Sequence, residues 1–166
     1  MCRTLTKVLL KRDFGLEWDM PDSHLVPGLT GRINYLNWIN EVLSLLPSQE
    51  GKTCNSGSVA RTEATTRRTI VNGIDIGTGA SCIYPLLGHS LYSWKFMATD
   101  IDIESIESAR KIVSMNHLED SIQIVQRTPE QPLLEGVVKE GVDFCMCNPP
   151  FFSSAEEVDM NMISER

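Results

Sequence analysis

A short β-branched segment that ends in a glycine turn is the strongest constraint on how this chain can fold. Residues 70–76 are mostly apolar, a pattern typical of a central strand in a parallel sheet. Gly77 and Gly79 follow at once, and residues 82–87 open a predicted helix that tolerates Pro85 only in its first turn. Strand, glycine turn and helix in this order let a nucleotide-type ligand approach the backbone closely. The sequence therefore predicts an α/β fold with a ligand at this turn.

The glycine spacing argues against one common class of ligand. The third glycine of a dinucleotide fingerprint would fall at Cys82, so a pyrophosphate cradle and a nicotinamide-dependent dehydrogenase are disfavoured. A ligand that carries adenosine without a pyrophosphate, such as S-adenosylmethionine, fits better. Asp75, two residues before Gly77, can either organise the turn or attract the ammonium group of such a ligand.

A second acidic residue ends the next predicted strand, residues 93–99. Asp100 lies 21 residues after Gly79, close to the spacing of a ribose-binding carboxylate. A carboxylate can accept hydrogen bonds from both ribose hydroxyls in a forked geometry. The alternative is that Asp100 caps the predicted helix 103–113, a role for which Asp102 is better placed.

The end of a later apolar segment, residues 142–147, carries a motif suited to holding an amine. Asn148 and an adjacent backbone carbonyl can both accept hydrogen bonds from an exocyclic amino group. Pro149 and Pro150 remove two N–H donors and stiffen the turn, and Phe151 offers a face for stacking a planar base. Taken alone, the motif is equally compatible with an ordinary strand-ending turn.

Together these motifs resemble the methyltransferase-like protein 16 family of RNA N6-adenosine methyltransferases, whose bacterial relatives modify an adenine of large-subunit ribosomal RNA. The resemblance rests on residues 73–88 and 143–151, with further similarity at residues 9–16 and 32–38. It implies a Rossmann-like class I S-adenosylmethionine-dependent methyltransferase fold, α/β with a parallel sheet. It also implies methyl transfer to N6 of adenosine in structured RNA, such as hairpins like those of U6 small nuclear RNA.

The resemblance also carries roles onto single positions. It places Arg32 at the carboxylate end of the cofactor and Gln131 at a further polar cofactor contact. The family usually has Glu where this chain has Asp100, so the side chain here is one methylene shorter. The predicted catalytic residues are Asn148, Pro149, Pro150 and Phe151, and the predicted cofactor contacts are Arg32, Asp75, Gly77, Gly79, Asp100, Gln131 and Asn148.

Length, composition and charge limit the classes of protein to which this chain can belong. The 166 residues suffice for one domain, and no stretch of eighteen apolar residues predicts a membrane span. No signal-peptide pattern is present, so we expect a nuclear or cytoplasmic protein, or one found in both. A net charge of −7 argues against strong RNA binding by this chain alone. We expect a monomer that binds no metal, and we expect Cys145 and Cys147 to be small buried hydrophobes.

Three segments are expected along the chain. Residues 1–46 form a helical segment that contributes to the cofactor pocket, with Trp38 in the core or the pocket wall rather than in a platform for RNA. Residues 47–69 form a flexible loop, and residues 70–166 form the N-terminal portion of the methyltransferase core. A short helix near residues 133–139 should precede the last strand.

Four strands are expected in the order 3-2-1-4, fewer than the seven normal for this fold. We therefore expect the C-terminal strands of the fold to be missing and the chain to be a truncated family member. Two alternatives stay open: a non-catalytic module that binds cofactor or a partner, and a methyltransferase that acts on another amine, in DNA adenine or protein glutamine.

Overall fold

The computed structural model describes residues 2–46, 70–138 and 141–149. The expected loop at residues 47–69 therefore lies outside the described residues. The elements, in chain order, are α1 (Arg3–Phe14), α2 (Leu29–Leu45), β1 (Asn72–Ile76), α3 (Ile83–Tyr92), β2 (Lys95–Asp100), α4 (Ile103–Met115), β3 (Ile122–Gln126) and β4 (Phe144–Cys147).

The four strands form one parallel sheet in the order β3-β2-β1-β4, which confirms the predicted order. Gly73 pairs with Phe96 of β2 on one side and with Phe144 of β4 on the other. Residues paired in this way point to the same face of a parallel sheet, so the three positions form one row across it. The start of β4 is held by Asp143, whose Oδ2 accepts the Asn72 backbone N–H at 2.7 Å.

Two glycines make room for the aromatic layer between sheet and helices. A Cβ at Gly73 would lie 2.5 Å from the Phe144 ring, and a Cβ at Gly88 would lie 2.7 Å from the Phe96 ring. Trp94 completes the layer, since its ring centroid lies 5.1 Å from that of Phe144 and 6.3 Å from that of Phe96. Glycine is therefore required at these two places by packing rather than by backbone conformation.

The N-terminal segment packs against the helical side of the sheet. Helix α1 ends at Phe14, and Gly15 follows as a left-handed C-terminal cap with φ +71°. Trp18 follows as a fully buried side chain whose Nε1 donates to the Ser81 carbonyl at 3.0 Å. Helix α2 begins at Leu29 and buries Leu36 and Ile39. This arrangement ties the chain before the sheet to the glycine turn.

Two sequence-based expectations are wrong, and a third is narrowed. Residues 133–137 form turns instead of a helix, because the left-handed Gly136 (φ +68°) departs from helical backbone geometry. Cys145 and Cys147 are exposed rather than buried, since β4 turns Phe144 and Met146 toward the helices and its two cysteines toward the opposite face. Trp38 is 56% exposed and so does not belong to the core, which leaves the pocket wall as its expected place.

Within the described residues, no helix is both long enough and apolar enough to cross a membrane. The same residues contain no group of three His, Cys, Asp or Glu side chains arranged to hold a metal ion.

Replacing Gly88 by Ala should destabilise the protein although alanine is the better helix former. The new Cβ would overlap the buried Phe96 ring, and overpacking of this kind costs about 1–3 kcal/mol. Gly31→Ala is the matched control in α2, where a Cβ meets nothing within 4 Å, and it should stabilise by up to about 1 kcal/mol. Urea denaturation measures both changes, and effects of the same sign would contradict this account of the packing.

Candidate cofactor and amine-binding site

The carboxyl ends of three neighbouring strands bring the two sequence motifs together. Ile76, the last residue of β1, pairs with Thr99 of β2 and with Cys147 of β4. Gly77, Asp100 and Asn148 each come directly after one of these paired residues. The three therefore lie side by side at one edge of the sheet, where parallel α/β sheets bind ligands.

The glycine turn adopts the conformation that the sequence predicts. Gly77 has φ +73° and Gly79 has φ +64°, both in the left-handed region where other residues are strained. The Gly77 and Thr78 N–H groups both donate to the Thr99 carbonyl at 2.9 Å. A Cβ built at Gly77 or Gly79 would meet nothing within 4 Å, so the space around the turn is open to a ligand.

The Asp100 carboxylate joins the glycine turn to the start of α4. Its Oδ2 accepts the Gly79 N–H at 2.8 Å, and its Oδ1 accepts the N–H groups of Ile101 and Asp102 at 2.8 and 3.0 Å. Each carboxylate oxygen has about two lone-pair sites, so Oδ1 is saturated and Oδ2 retains one. The expected fork onto two ribose hydroxyls is thus reduced to one free acceptor site. Asp102 is the helix cap, since its Oδ2 accepts the Ser105 N–H at 2.8 Å.

Asp75 is a buried carboxyl beneath the turn. Its side chain is 1% exposed, and its Oδ2 has no hydrogen-bond partner among the described residues. Burial raises the pKa of Asp75 to about 7, the Thr78 side chain opposes part of this rise, and the negative charge of Asp100 adds to it. An unpartnered acceptor of this kind suits a cationic group on a ligand.

Arg32 supplies the opposite charge from the first turn of α2. Its Nε is buried and has no hydrogen-bond partner among the described residues. The charges of Arg32 and Asp75 both affect the Tyr84 hydroxyl on α3. Burial raises the pKa of Tyr84, the Arg32 guanidinium lowers this pKa, and the Asp75 carboxylate raises it further. A cation at a helix start is electrostatically disfavoured, so an unpartnered guanidinium there suits an anionic ligand group such as a carboxylate.

The remaining predicted residues have less defined surroundings. Gln131 closes a turn after β3, where its side-chain Oε1 accepts the Thr128 N–H at 3.0 Å. The side-chain NH₂ of Gln131 is the group left to donate to a ligand. Asn148 and Pro149 are exposed at the sheet edge, which leaves them accessible to a substrate. Pro150 and Phe151 lie outside the described residues.

Sequence reasoning missed Tyr84, whose hydroxyl is subject to the charges of both groups. The available signal was a tyrosine in the otherwise apolar first turn of the helix that follows the glycine motif. With Tyr84 included, the pocket offers an open turn, an unpartnered carboxylate oxygen and an unpartnered guanidinium nitrogen. These groups fit the ammonium and carboxylate of an amino-acid moiety such as that of S-adenosylmethionine.

The Asp75 carboxyl should make stability depend on pH. Its folded pKa of about 7 lies above the unfolded value of about 3.9, so the folded protein binds more protons between these values. Stability should therefore fall as pH rises from about 4 to about 7 and level off above that, by up to about 4 kcal/mol.

Urea denaturation at pH 5 and pH 8 measures this difference. Asp75→Asn should reduce it and should be more stable than the parent at pH 8, whereas Asp120→Asn, at an exposed carboxylate, controls for the loss of one charge. Parallel stability curves for the parent and Asp75→Asn would rule out Asp75 as the source.

Comparison with known proteins places this geometry in a family. A family model described as RNA methyltransferase matches residues 1–166. The chain is 42% identical over 159 residues to the RNA N(6)-adenosine-methyltransferase METTL16 of Gallus gallus, which covers 93% of this chain and 25% of the relative. The chain thus spans about a quarter of the length of this relative.

Solved structures agree with the sequence comparison. The hMettl16 catalytic domain in complex with MAT2A 3'UTR hairpin 6 superposes with a TM-score of 0.73 at 36% identity, covering 99% of this chain and 48% of that one. The N-terminal domain of human METTL16 in complex with SAH superposes with a TM-score of 0.72 at 37% identity, covering 98% of this chain and 60% of that one. The sheet and its helices thus form the predicted Rossmann-like methyltransferase fold, and the chain belongs to the RNA methyltransferase family.

Proposed function

We propose that this chain binds S-adenosylmethionine and takes part in transferring its methyl group to N6 of an adenosine in structured RNA, with U6-like hairpins as the expected substrates. The observation that carries the proposal is the juxtaposition of Gly77, Asp100 and Asn148 at the ends of three adjacent strands. Two findings on relatives support it: one solved relative is a complex with an RNA hairpin, and another is a complex with SAH. We also propose that the protein acts as a monomer and that it is found in the nucleus, the cytoplasm or both.

Different residues of the site would bind different parts of the cofactor. Arg32 would hold the carboxylate of the methionine moiety, and the unpartnered Asp75 oxygen would attract its ammonium. The open turn at Gly77 and Gly79 admits the ligand close to the backbone, and the free lone pair on Asp100 Oδ2 accepts one ribose hydroxyl. Gln131 is proposed as a further polar contact through its side-chain NH₂. When bound, the cofactor supplies a methyl carbon made electrophilic by the sulfonium.

Asn148 acts on the acceptor amine. The N6 amine of adenine is a poor nucleophile because its lone pair is delocalised into the ring. Hydrogen bonds from this amine to the Asn148 side-chain oxygen and to the Pro149 carbonyl favour a pyramidal nitrogen and stabilise its growing positive charge. The adenine must leave its base stack to reach these acceptors. Pro150 is proposed to stiffen the turn and Phe151 to stack on the base.

A labelled-cofactor assay tests the substrate class. The protein is incubated with S-adenosylmethionine that carries a labelled methyl group, and with a hairpin RNA containing an unpaired adenosine, duplex DNA or a glutamine-containing peptide. We expect label at N6 of the RNA adenosine. Label on DNA or peptide alone would assign the site to another amine, and binding of cofactor without transfer to any of the three would indicate a non-catalytic module.

Asn148→Ala should separate chemistry from cofactor binding. Loss of a hydrogen-bond partner that acts in the transition state costs about 10²–10³ in rate, so methyl transfer should fall by at least about 100-fold. Cofactor affinity, measured by titration calorimetry, should change little.

Asn148→Asp is the matched variant, because it keeps an acceptor oxygen of the same size and should retain more activity than the alanine variant. Equal loss of cofactor affinity and methyl transfer in Asn148→Ala would point to a structural role instead.

A further inference from the structure

Helix α2 presents two aromatic rings to the surface at the end nearest the pocket. Tyr35 is 36% exposed and Trp38 is 56% exposed. Their rings stack with centroids 5.8 Å apart and an angle of 14° between the planes, so the two side chains form one stacked aromatic pair at the surface. The two other tryptophans, Trp18 and Trp94, are 0% and 3% exposed, so Trp38 departs from how this chain otherwise places indole rings.

This aromatic pair adjoins one residue of the candidate cofactor site. The Tyr35 ring meets Tyr84 edge-on with centroids 6.0 Å apart, and the charges of Arg32 and Asp75 both act on the Tyr84 hydroxyl. Arg32, Tyr35 and Trp38 follow one another at three-residue spacing and so lie along one side of the helix. The two rings therefore lie on the side of α2 that carries Arg32, the residue proposed for the carboxylate end of the cofactor.

The charge of this face differs from that of the chain as a whole. The chain has 22 acidic residues and a net charge of −7, yet none of those acids lies between positions 23 and 40 or between positions 76 and 99. These stretches include the pocket end of α2 and all of α3, which pack against each other. The Arg32 guanidinium and the exposed Asn34 amide add hydrogen-bond donors. Residues 23–40 and 76–99 thus contribute no carboxylate that would repel a phosphate backbone.

We propose that Tyr35 and Trp38 form a stacking platform for an unpaired RNA base that neighbours the target adenosine. This inference rests on the proposed function and extends it to the flanking nucleotide. Aromatic rings bind any base through its π-face, so the platform holds the strand without reading its sequence. Its effect is to keep the strand extended past the pocket while the target base is splayed toward Asn148.

The aliphatic part of the same helix provides the control. Val42 and Leu45 are also exposed, at 39% and 82%, but they lie farther along α2 and carry no ring on which a base can stack. A protein partner or a second copy of this chain would contact the rings and these aliphatic side chains together. An RNA base would contact the rings alone, so variants at Trp38 and Leu45 distinguish the two kinds of occupant.

The experiment measures binding of two RNA probes to the protein and to three variants. The first probe is a hairpin with an unpaired adenosine in a short single-stranded segment, and the second replaces a nucleotide flanking that adenosine by an abasic one. With the first probe, Trp38→Ala should weaken binding by about tenfold, Trp38→Phe should keep most of the affinity, and Leu45→Ala should have no effect. When the abasic nucleotide replaces the base that stacks on Trp38, Trp38→Ala should no longer weaken RNA binding. RNA binding should also quench the fluorescence of the exposed Trp38.

Any other result contradicts the stacking platform. The results below also distinguish failure of the platform from failure of the proposed function. Equal affinity of the parent and Trp38→Ala for the intact hairpin, with methyl transfer preserved, removes the platform alone. Failure of the parent to bind or methylate the hairpin removes both proposals. Self-association that both Trp38→Ala and Leu45→Ala weaken, measured by sedimentation, would assign this face to contacts between copies. Cofactor affinity should be the same in all variants, because a loss in Trp38→Ala would make this residue part of the cofactor pocket.

Discussion

The hydrogen bond from the Gly79 N–H to the Asp100 carboxylate is the interaction on which the geometry of the site depends. It joins two strand ends that the sheet has already placed side by side, and the same carboxylate caps the backbone leading into α4. The turn after β1 is thus held from β2 rather than by its own residues. A ligand that uses the remaining lone pair on Asp100 would therefore also act on the conformation of the glycine turn.

The fold was largely predictable because local and long-range signals agree along this chain. The β-branched segment before Gly77, the glycine spacing and the cap at Asp102 are local features, and each forms where the sequence indicates. The strand order follows from alternating strands and helices. The turns at residues 133–137 were not predictable from the apolar pattern alone, because the left-handed Gly136 and the burial of Val137 decide that segment. The exposure of Cys145 and Cys147 depends on which faces of β4 are covered, which a strand pattern does not state.

For the site, residue identity was easier to predict than the state of each side chain. Sequence spacing points to Asp75, Asp100 and Asn148. It does not show that the Asp100 carboxylate already accepts three hydrogen bonds from backbone N–H groups. Nor does it show that Asp75 is buried with an unpartnered oxygen. Both facts arise from packing around the turn. Tyr84 shows the same limit: its importance comes from the charges of both Arg32 and Asp75, which are 43 positions apart in the sequence and act on one hydroxyl only in the folded protein.

The exposed Cys147 next to Asn148 has a consequence for chemical probes of this pocket. Desolvation, the nearby Asp75 carboxylate and Cys145 all raise the pKa of the Cys147 thiol, in that order of importance. The thiolate is the reactive form of cysteine, so this side chain is accessible yet a weak nucleophile at neutral pH. Covalent inhibitors with mild electrophiles should consequently react with it slowly, and an inhibitor aimed at Cys147 would gain from a cationic group that stabilises the thiolate against the nearby Asp75 charge.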